Sequence, residues 1–301
     1  MLPNFLIAGA VAAGTSFLSS SLANHPDIYL PKIQRPAPNF FHYSWKFEKG
    51  VEWYQKNFFS EVDSQKAIGE RSALLLSSKV AAKRIKKIIP KVKLIFWLRN
   101  PIERAWANYR FTVLEGLENL NFETALELES KRMKTAKGKW LEVQPHAYLT
   151  RSKYFIRLKE YFDLFDRKQI LVLQSEDLSL RPHENFKKIL EFLEVNASAQ
   201  LLLPPKYSSP SVKDPSVQIE LRKYFEDRFP DVIESIRKEK SFASLTTNDE
   251  DKKKFDLLRA NLVESGKLSL TTSNRKLLKK LLAKEILCLK GVVGFSINDW
   301  V

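Results

Sequence analysis

The feature that most constrains the fold is the stretch G-A-V-A-A-G-T-S-F-L, Gly9 to Leu18, which directly follows the apolar run Phe5 to Ile7. A short buried strand, two glycines and the start of a helix form the arrangement of a phosphate-binding loop. Gly9 and Gly14 have the glycine spacing of the Walker A motif, but Thr15 stands where that motif has lysine. The charged contact of a nucleoside triphosphatase is therefore missing.

Two other interpretations of this loop have to be weighed. The dinucleotide fingerprint G-x-G-x-x-G fails because position 11 is valine. A tight turn whose glycines serve packing alone is the default for such a loop in isolation. A turn between strand and helix still presents backbone N–H groups and the positive end of the helix dipole to an anion. Thr15 and Ser16 would add hydroxyl groups.

Strand and helix patterns alternate along the chain, which predicts an α/β fold with a parallel sheet flanked by helices. The predicted strands are residues 4–8, 92–98 and 169–173, with an extended segment from Ile28, and the predicted helices are 14–23, 51–59, 77–89, 101–111, 148–165 and one ending at Leu193. Residues 204–267 are polar and charged, and they predict a helical insertion within a single domain spanning 1–301. From Ser273 a helix and an apolar ending are expected.

A second stretch, L-R-N-P-I-E-R-A-W, places Arg99 at the end of a buried strand and before a helix that begins at Pro101. In an open α/β sheet the carboxyl ends of the strands are the edge where ligands bind. An arginine there suits an anion.

In order and spacing, these motifs resemble the sulfotransferases that use 3'-phosphoadenylyl sulfate, especially the bacterial and heparan-sulfate-type carbohydrate enzymes. The resemblance covers most of the chain. It also rests on N-H-P-D-I-Y-L-P, R-P-A-P-N-F-F, G-E-R-S-A, Y-L-T-R-S-K-Y-F, Q-I-L-V-L-Q-S-E-D-L and the terminal G-F-S-I-N-D-W. The fold implied is P-loop-like.

The resemblance implies a cofactor, 3'-phosphoadenylyl sulfate, with adenosine 3',5'-bisphosphate as by-product. Arg99 would hold the 3' phosphate. The loop positions that would hold the 5' phosphosulfate are Gly9, Ala10, Val11, Ala13, Gly14, Thr15 and Ser16.

Three positions depart from the family pattern, and all three are alanine. Ala12 stands where the family has a lysine that neutralises charge on the bridging oxygen. Ala37 stands where it has the glutamate that acts as general base. Ala107 stands where it has a serine on the 3' phosphate. A naturally degenerate member and a deliberately substituted sequence both explain this pattern; the repeated alanine favours the second. With alanine at these three positions, the chain is expected to be catalytically inactive or severely impaired.

Three other residues are weaker candidates for the functional site. His42 follows the Phe-Phe pair and is a candidate substitute base, although a surface or packing histidine is the simpler interpretation. Arg71 resembles a substrate-contacting position of glycan-modifying members, with a surface salt bridge as the alternative. Lys267 is a candidate for the late loop that closes over the 3' phosphate, but a solvated lysine after a helix turn explains it equally well.

The composition of the chain limits the classes of partner that it is expected to bind. The net charge of +15 favours an anionic partner. The single cysteine and four scattered histidines predict no metal site and a reducing, cytoplasmic compartment. The apolar start has no basic residue before Lys32, unlike a signal peptide, and no stretch is long enough to predict a membrane span. Peripheral contact with a membrane stays open.

The function predicted is transfer of a sulfuryl group to a hydroxyl, on a carbohydrate or glycolipid. The main alternative is a pseudoenzyme that binds nucleotide or glycan without turnover. A nucleotide kinase is disfavoured by the missing lysine. Nucleic-acid binding is not expected, because the basic residues lack an aromatic stacking pattern or a known module.

Overall fold

In a computed structural model of the chain, the described residues are 1–32, 37–177, 182–199, 201, 203, 210–237, 248–263 and 269–300. They fall into two compact units. The first comprises 1–104, 150–206 and 279–301, and the second comprises 105–149 and 207–278. The assignment of 204–267 as an insertion in one domain stays a prediction.

A five-stranded parallel sheet is the centre of the first unit. Its strands are β1 (Phe5–Gly9), β2 (Ile28–Tyr29), β3 (Ala67–Arg71), β4 (Lys93–Leu98) and β5 (Ile170–Gln174), in the order β2-β3-β1-β4-β5. Every β1 residue is buried, as are five of the six β4 residues. Strands buried on both faces read as continuous apolar runs, so the α/β prediction is confirmed.

Helices connect and flank these strands. They are α1 (Thr15–Leu22), α2 (Ser44–Phe47), α3 (Gly50–Phe58), α4 (Ala81–Ile88), α5 (Pro101–Leu114), α6 (Phe122–Thr135), α7 (Trp140–Val143), α8 (Tyr154–Leu164) and α9 (Pro182–Leu193). Helix α5 begins as predicted: the Asn100 side chain accepts a hydrogen bond from the Ile102 amide at 2.9 Å, and Pro101 is the first helical residue.

Two helix predictions differ from the structure. The helix predicted at 77–89 begins at Ala81, because a 3₁₀ turn (Leu75–Ser77) precedes it and the Ser78 hydroxyl accepts the Ala81 amide. The helix predicted at 148–165 begins at Tyr154. A separate 3₁₀ turn occupies Thr150–Ser152.

The second unit is largely helical in its described part. Besides most of α5, it contains α6, α7, α10 (Pro215–Phe225), α11 (Phe229–Arg237), α12 (Asp249–Asn261) and a short antiparallel pair, β6 (Ser211–Val212) with β7 (Leu262–Val263). An apolar cluster that includes Leu114, Leu221, Phe229 and Leu258 forms its core. The last helix, α13 (Thr272–Leu289), begins in this unit and ends in the first.

Candidate functional site

The loop after β1 is shaped by residues with positive φ. Gly9 has φ +149° and Gly14, which precedes α1, has φ +85°. Ala12 between them has φ 63°. A side chain at Gly9 is also excluded by packing, because its Cβ would lie 2.6 Å from Leu76 Cβ. The glycine spacing therefore reflects a backbone requirement at both positions.

This loop leaves several backbone amides available. The Ala10 amide donates to Trp97 O at 2.7 Å and the Ala13 amide to Ala10 O at 3.3 Å. Within the described residues, the amides of the other loop positions and the first turn have no acceptor; these are Val11, Ala12, Gly14, Thr15 and Ser16. Free N–H groups at the positive end of a helix dipole make a site for an anion.

Arg99 lies beside this loop. It is the first residue after β4, and its guanidinium Nη1 is 3.4 Å from Ala12 O. The Tyr154 hydroxyl donates to Arg99 O at 3.0 Å and so fixes its backbone. The structure thus brings together two elements that were predicted from separate motifs, the loop and the arginine.

Buried polar groups hold the turn that follows Arg99. The Asn100 amide donates to Glu176 Oε1 at 2.7 Å. Arg104, fully buried, donates from Nε to Ser152 Oγ at 2.8 Å, and that hydroxyl donates to Pro101 O at 2.8 Å. The resemblance motifs around Arg99 and Ser152 are therefore in direct contact.

Segment 37–42 lies at the same edge of the sheet as the loop, and Ser72 links the two. The Ser72 amide donates a hydrogen bond to Ile7 O at 3.0 Å, and the Ser72 hydroxyl accepts one from the Asn39 amide at 2.8 Å. Lys46 holds the start of the segment, since its Nζ donates to Ala37 O at 3.2 Å and to Pro38 O at 2.7 Å. Burial lowers the pKa of Lys46 below its ordinary value, against the opposing charge of Glu70.

The buried carboxyl group of Glu70 supports segment 37–42 through hydrogen bonds with its neighbours. Glu70 accepts hydrogen bonds from the Tyr54 hydroxyl and the Ser72 hydroxyl, both at 2.5 Å, and it is fully buried. Burial raises the pKa of Glu70, although the two hydrogen bonds and the positive charges of Lys46 and Arg71 act in the opposite direction. The Phe40 ring stacks on Tyr54 with centroids 4.2 Å apart. Glu70 is therefore a structural residue of this edge.

The weaker candidates have less distinctive surroundings. His42 is buried, its ring centroid lies 4.7 Å from that of Tyr43, and its carbonyl accepts a hydrogen bond from Arg84 at 3.1 Å. These contacts fit the packing interpretation. Arg71 ends β3 and is partly exposed. Ala107 lies within α5, in the part that belongs to the second unit. Lys267 lies outside the described residues.

Sequence patterns did not single out Lys46, Tyr54 or Ser72. Tyr54 is the buried residue of helix α3, which explains it without a site, and Lys46 lies in the short helix α2, which the sequence patterns do not predict. Ser72 stands within the motif G-E-R-S-A. Their roles depend on partners 8 to 33 residues away in the chain. No local signal identifies such pairings.

Neither a metal centre nor a membrane span emerges from the part of the chain that the structure describes. There, no group of three or more His, Cys, Asp or Glu side chains is arranged to hold a metal ion. None of the helices described combines the length and the apolar character needed to cross a bilayer.

The loop after β1 and Arg99 offer hydrogen-bond donors to an anion, whereas the three positions that depart from the family pattern are alanine. Amides and one guanidinium suit phosphate or sulfate oxygens. The methyl groups of Ala12, Ala37 and Ala107 neither carry charge nor exchange a proton. The loop amides and Arg99 therefore fit the phosphate groups of a nucleotide.

Comparison with known proteins identifies the family of this architecture. A family model described as "Sulfotransferase domain" matches residues 2–282. The chain is 32% identical over 114 residues to the membrane-associated sulfotransferase kil1 of Dictyostelium discoideum, an alignment covering 37% of this chain and 23% of that protein. It is 24% identical over 203 residues to the bifunctional heparan sulfate N-deacetylase/N-sulfotransferase 1 of Caenorhabditis elegans, covering 64% of this chain and 22% of that protein.

The matched regions thus amount to less than a quarter of the length of these relatives. Among solved structures, a sulfotransferase from Alicyclobacillus acidocaldarius superposes with a TM-score of 0.69 at 21% identity, covering 100% of this chain and 99% of that one. At that identity the likeness concerns the fold.

Proposed function

This chain belongs to the sulfotransferase family, and on that premise we propose that its sheet edge binds 3'-phosphoadenylyl sulfate and its by-product, adenosine 3',5'-bisphosphate. The ancestral reaction is transfer of the sulfuryl group to a hydroxyl of a carbohydrate or glycolipid. In the sequence as it stands, binding persists and turnover is severely reduced.

One observation carries this proposal: the loop has backbone amides without an acceptor among the described residues, and the Arg99 guanidinium lies 3.4 Å from the Ala12 carbonyl oxygen of the same loop. Backbone donors and the dipole of α1 stabilise an anion whatever side chains the loop carries. Arg99 adds a planar, permanently charged donor that can bind two oxygens at once.

When bound, 3'-phosphoadenylyl sulfate supplies an activated sulfuryl group on a phosphate leaving group. The chain has to align the donor with the acceptor, stabilise developing negative charge and remove the acceptor proton. The loop amides suit the first two tasks, and Arg99 contributes to the first by holding the 3' phosphate. Position 37 suits the third in the family, but its methyl group accepts no proton.

The expected loss in catalytic rate and in nucleotide affinity follows from these roles. Removing one positioned charge donor costs about 10²–10³ in rate. Removing a general base costs about 10²–10⁴. The factors are not multiplied, because residues that act as a unit are not additive. A lost hydroxyl contact at position 107 weakens binding by about 1–3 kcal/mol.

A carbohydrate acceptor is supported by the heparan sulfate enzymes among the relatives and by the net charge of +15, which attracts anionic glycans. The choice of a hydroxyl as the accepting group is part of the proposal.

The test restores Ala12→Lys, Ala37→Glu and Ala107→Ser together. Release of adenosine 3',5'-bisphosphate is then measured with 3'-phosphoadenylyl sulfate and a panel of glycans and glycolipids. We expect acceptor-dependent release at least about 10³-fold above that of the chain as written. A restored protein that neither binds the nucleotide more tightly nor releases product would refute the residue assignment.

A second function, nucleotide or glycan binding without catalysis, is favoured by the retained hydrogen bonds of segment 37–42 around Ala37. Segment 37–42 keeps its hydrogen bonds to Ser72 and Lys46 although position 37 cannot act as a base. A glycan that binds with the same affinity to the chain and to its restored variant, with no turnover by either, would establish this alternative.

A further inference from the structure

Helix α13 carries an exposed surface that the proposed nucleotide site does not explain. Its buried face consists of Leu278, Leu282, Ile286 and Leu289, which accounts for the packing of the helix. Outside that face, Leu277, Leu281 and Leu287 are exposed by 36%, 45% and 70%. Leu277 and Leu281 are neighbours, four residues apart on the helix, and exposed large apolar side chains that are grouped in this way indicate an interaction surface.

Lysines accompany these leucines. Lys276, Lys280 and Lys284 are four residues apart, so they lie one above the other along the helix, and Leu277 and Leu281 form the adjacent row. We call the set of Lys276, Leu277, Lys280, Leu281, Lys284 and Leu287 the lysine–leucine face.

No described carboxylate neutralises the lysine–leucine face. All three lysines are exposed, and none has an ion pair or hydrogen bond with another described residue. The nearest acid along the helix is Glu285, which is half-buried and accepts a hydrogen bond from the Phe155 amide. The surface therefore combines net positive charge with apolar area.

We propose that the lysine–leucine face docks the protein on an anionic lipid surface. Helices that lie in a membrane interface place leucines in the acyl boundary and lysines among the headgroups. Lysine suits this position because its long aliphatic stem follows the apolar boundary while the ammonium group remains hydrated.

The charge pattern selects this partner over others. A second copy of the chain would oppose lysine with lysine, which is repulsive. A sulfated or carboxylated glycan would satisfy the lysines but leave the leucines in water. Anionic lipid satisfies both, since each lysine near such a surface contributes attraction and each leucine gains apolar burial. This proposal does not depend on the identity of the nucleotide.

The experiment is sedimentation of the purified chain with vesicles of phosphatidylcholine alone and with about 30% phosphatidylserine. We expect partition onto the anionic vesicles only. The triple variant Lys276→Glu, Lys280→Glu, Lys284→Glu is expected to lose about 100-fold in partition. Its matched control is Lys83→Glu, Lys87→Glu, Lys91→Glu, which makes the same charge change at exposed lysines in and just after α4 and should lose less than about fivefold.

The leucines are tested separately with Leu281→Gln, Leu287→Gln, which keeps the charge and a good helix former. We expect about a tenfold loss or more, and thermal unfolding checks that the fold is retained. Equal losses in the two lysine triples would overturn the proposal, because attraction would then come from the whole surface. Full binding by the leucine variant would also overturn it and would point to an acidic polymer. Absence of binding by the unaltered chain would refute it outright.

Discussion

The loop after β1 and segment 37–42 share one edge of the sheet, yet they depend on different atoms. In the proposed function the loop acts through backbone amides, which no side-chain substitution removes as long as Gly9 and Gly14 preserve its shape. The proposed reaction needs one side chain from segment 37–42, at position 37, and the segment packs onto Ser72 and Tyr54 although that side chain is a methyl group.

The difference separates binding from chemistry. A site made by the backbone can keep its affinity after its neighbouring side chains are truncated. A site that transfers a proton cannot, because geometry without a titratable group has no catalytic effect. Restoring the family's residues should therefore affect the two regions differently: at segment 37–42 it should change kcat, and at the loop it should change nucleotide affinity less.

The largest effect is expected for Ala37→Glu added to a variant that already carries Ala12→Lys and Ala107→Ser. The new carboxylate supplies the missing base, so kcat should rise about 10²–10⁴-fold, with nucleotide affinity changed less than about twofold. Steady-state kinetics and equilibrium dialysis measure the two quantities. Ala37→Gln in the same background is the control of similar size; a comparable gain in kcat there would show that position 37 does not act as a base.

The next effect concerns binding. Arg99→Ala removes a charged donor beside the loop, so adenosine 3',5'-bisphosphate should bind about 10- to 100-fold more weakly. Arg99→Lys retains the charge but loses the planar fork, and its loss should be smaller. Equilibrium dialysis provides the affinities. Unchanged affinity in Arg99→Ala would separate the arginine from the nucleotide site.

The loop's shape is tested by Gly9→Ala. The added Cβ would meet Leu76 Cβ at 2.6 Å and sit at φ +149°, so we expect a loss of about 2–3 kcal/mol in the free energy of unfolding. Gly291→Ala is the matched control, because its Cβ would meet nothing within 4 Å, and its change should stay within about 0.5 kcal/mol. Urea denaturation measures both. Equal changes would contradict the packing of the loop on Leu76.

The smallest effect is a pH dependence from Glu70. Its pKa is raised above the ordinary value of 4.5, chiefly by burial, so the folded state holds this proton more tightly than the unfolded state. The stabilisation is therefore full below about pH 4.5 and is lost as pH rises through the raised pKa, at no more than about 1.4 kcal/mol per pH unit.

Urea denaturation from pH 4 to 8 compares the chain with Glu70→Gln. The stability of the unaltered chain relative to the variant should fall as pH rises. Glu52→Gln controls for the loss of one carboxylate at an exposed position. A relative stability that rises with pH would reverse the direction assigned to Glu70.

Local patterns predicted much of this edge. The apolar run before Gly9 and the Asn-Pro pair after Arg99 each specify their own elements, because strand burial, capping and proline geometry act over a few residues. The parallel sheet followed from their alternation with helices.

Other features were beyond such patterns. The apolar spacing of 148–165 suggested one helix, but Tyr148 is buried in the second unit, where its hydroxyl contacts Thr112 and Glu118. A structural role for Glu70 follows from the sequence, but its partners Tyr54 and Ser72 and the support of segment 37–42 by Lys46 do not, because they depend on tertiary contacts that no periodicity encodes.

The most direct test of the account is a calorimetric titration of the unaltered chain with adenosine 3',5'-bisphosphate. If the loop amides and Arg99 form the site, the nucleotide binds in the micromolar range without the lysine, glutamate or serine of the family. Absence of binding at millimolar nucleotide would contradict the account, and would mean that Gly9 to Leu18 keeps the shape of a phosphate loop without its function.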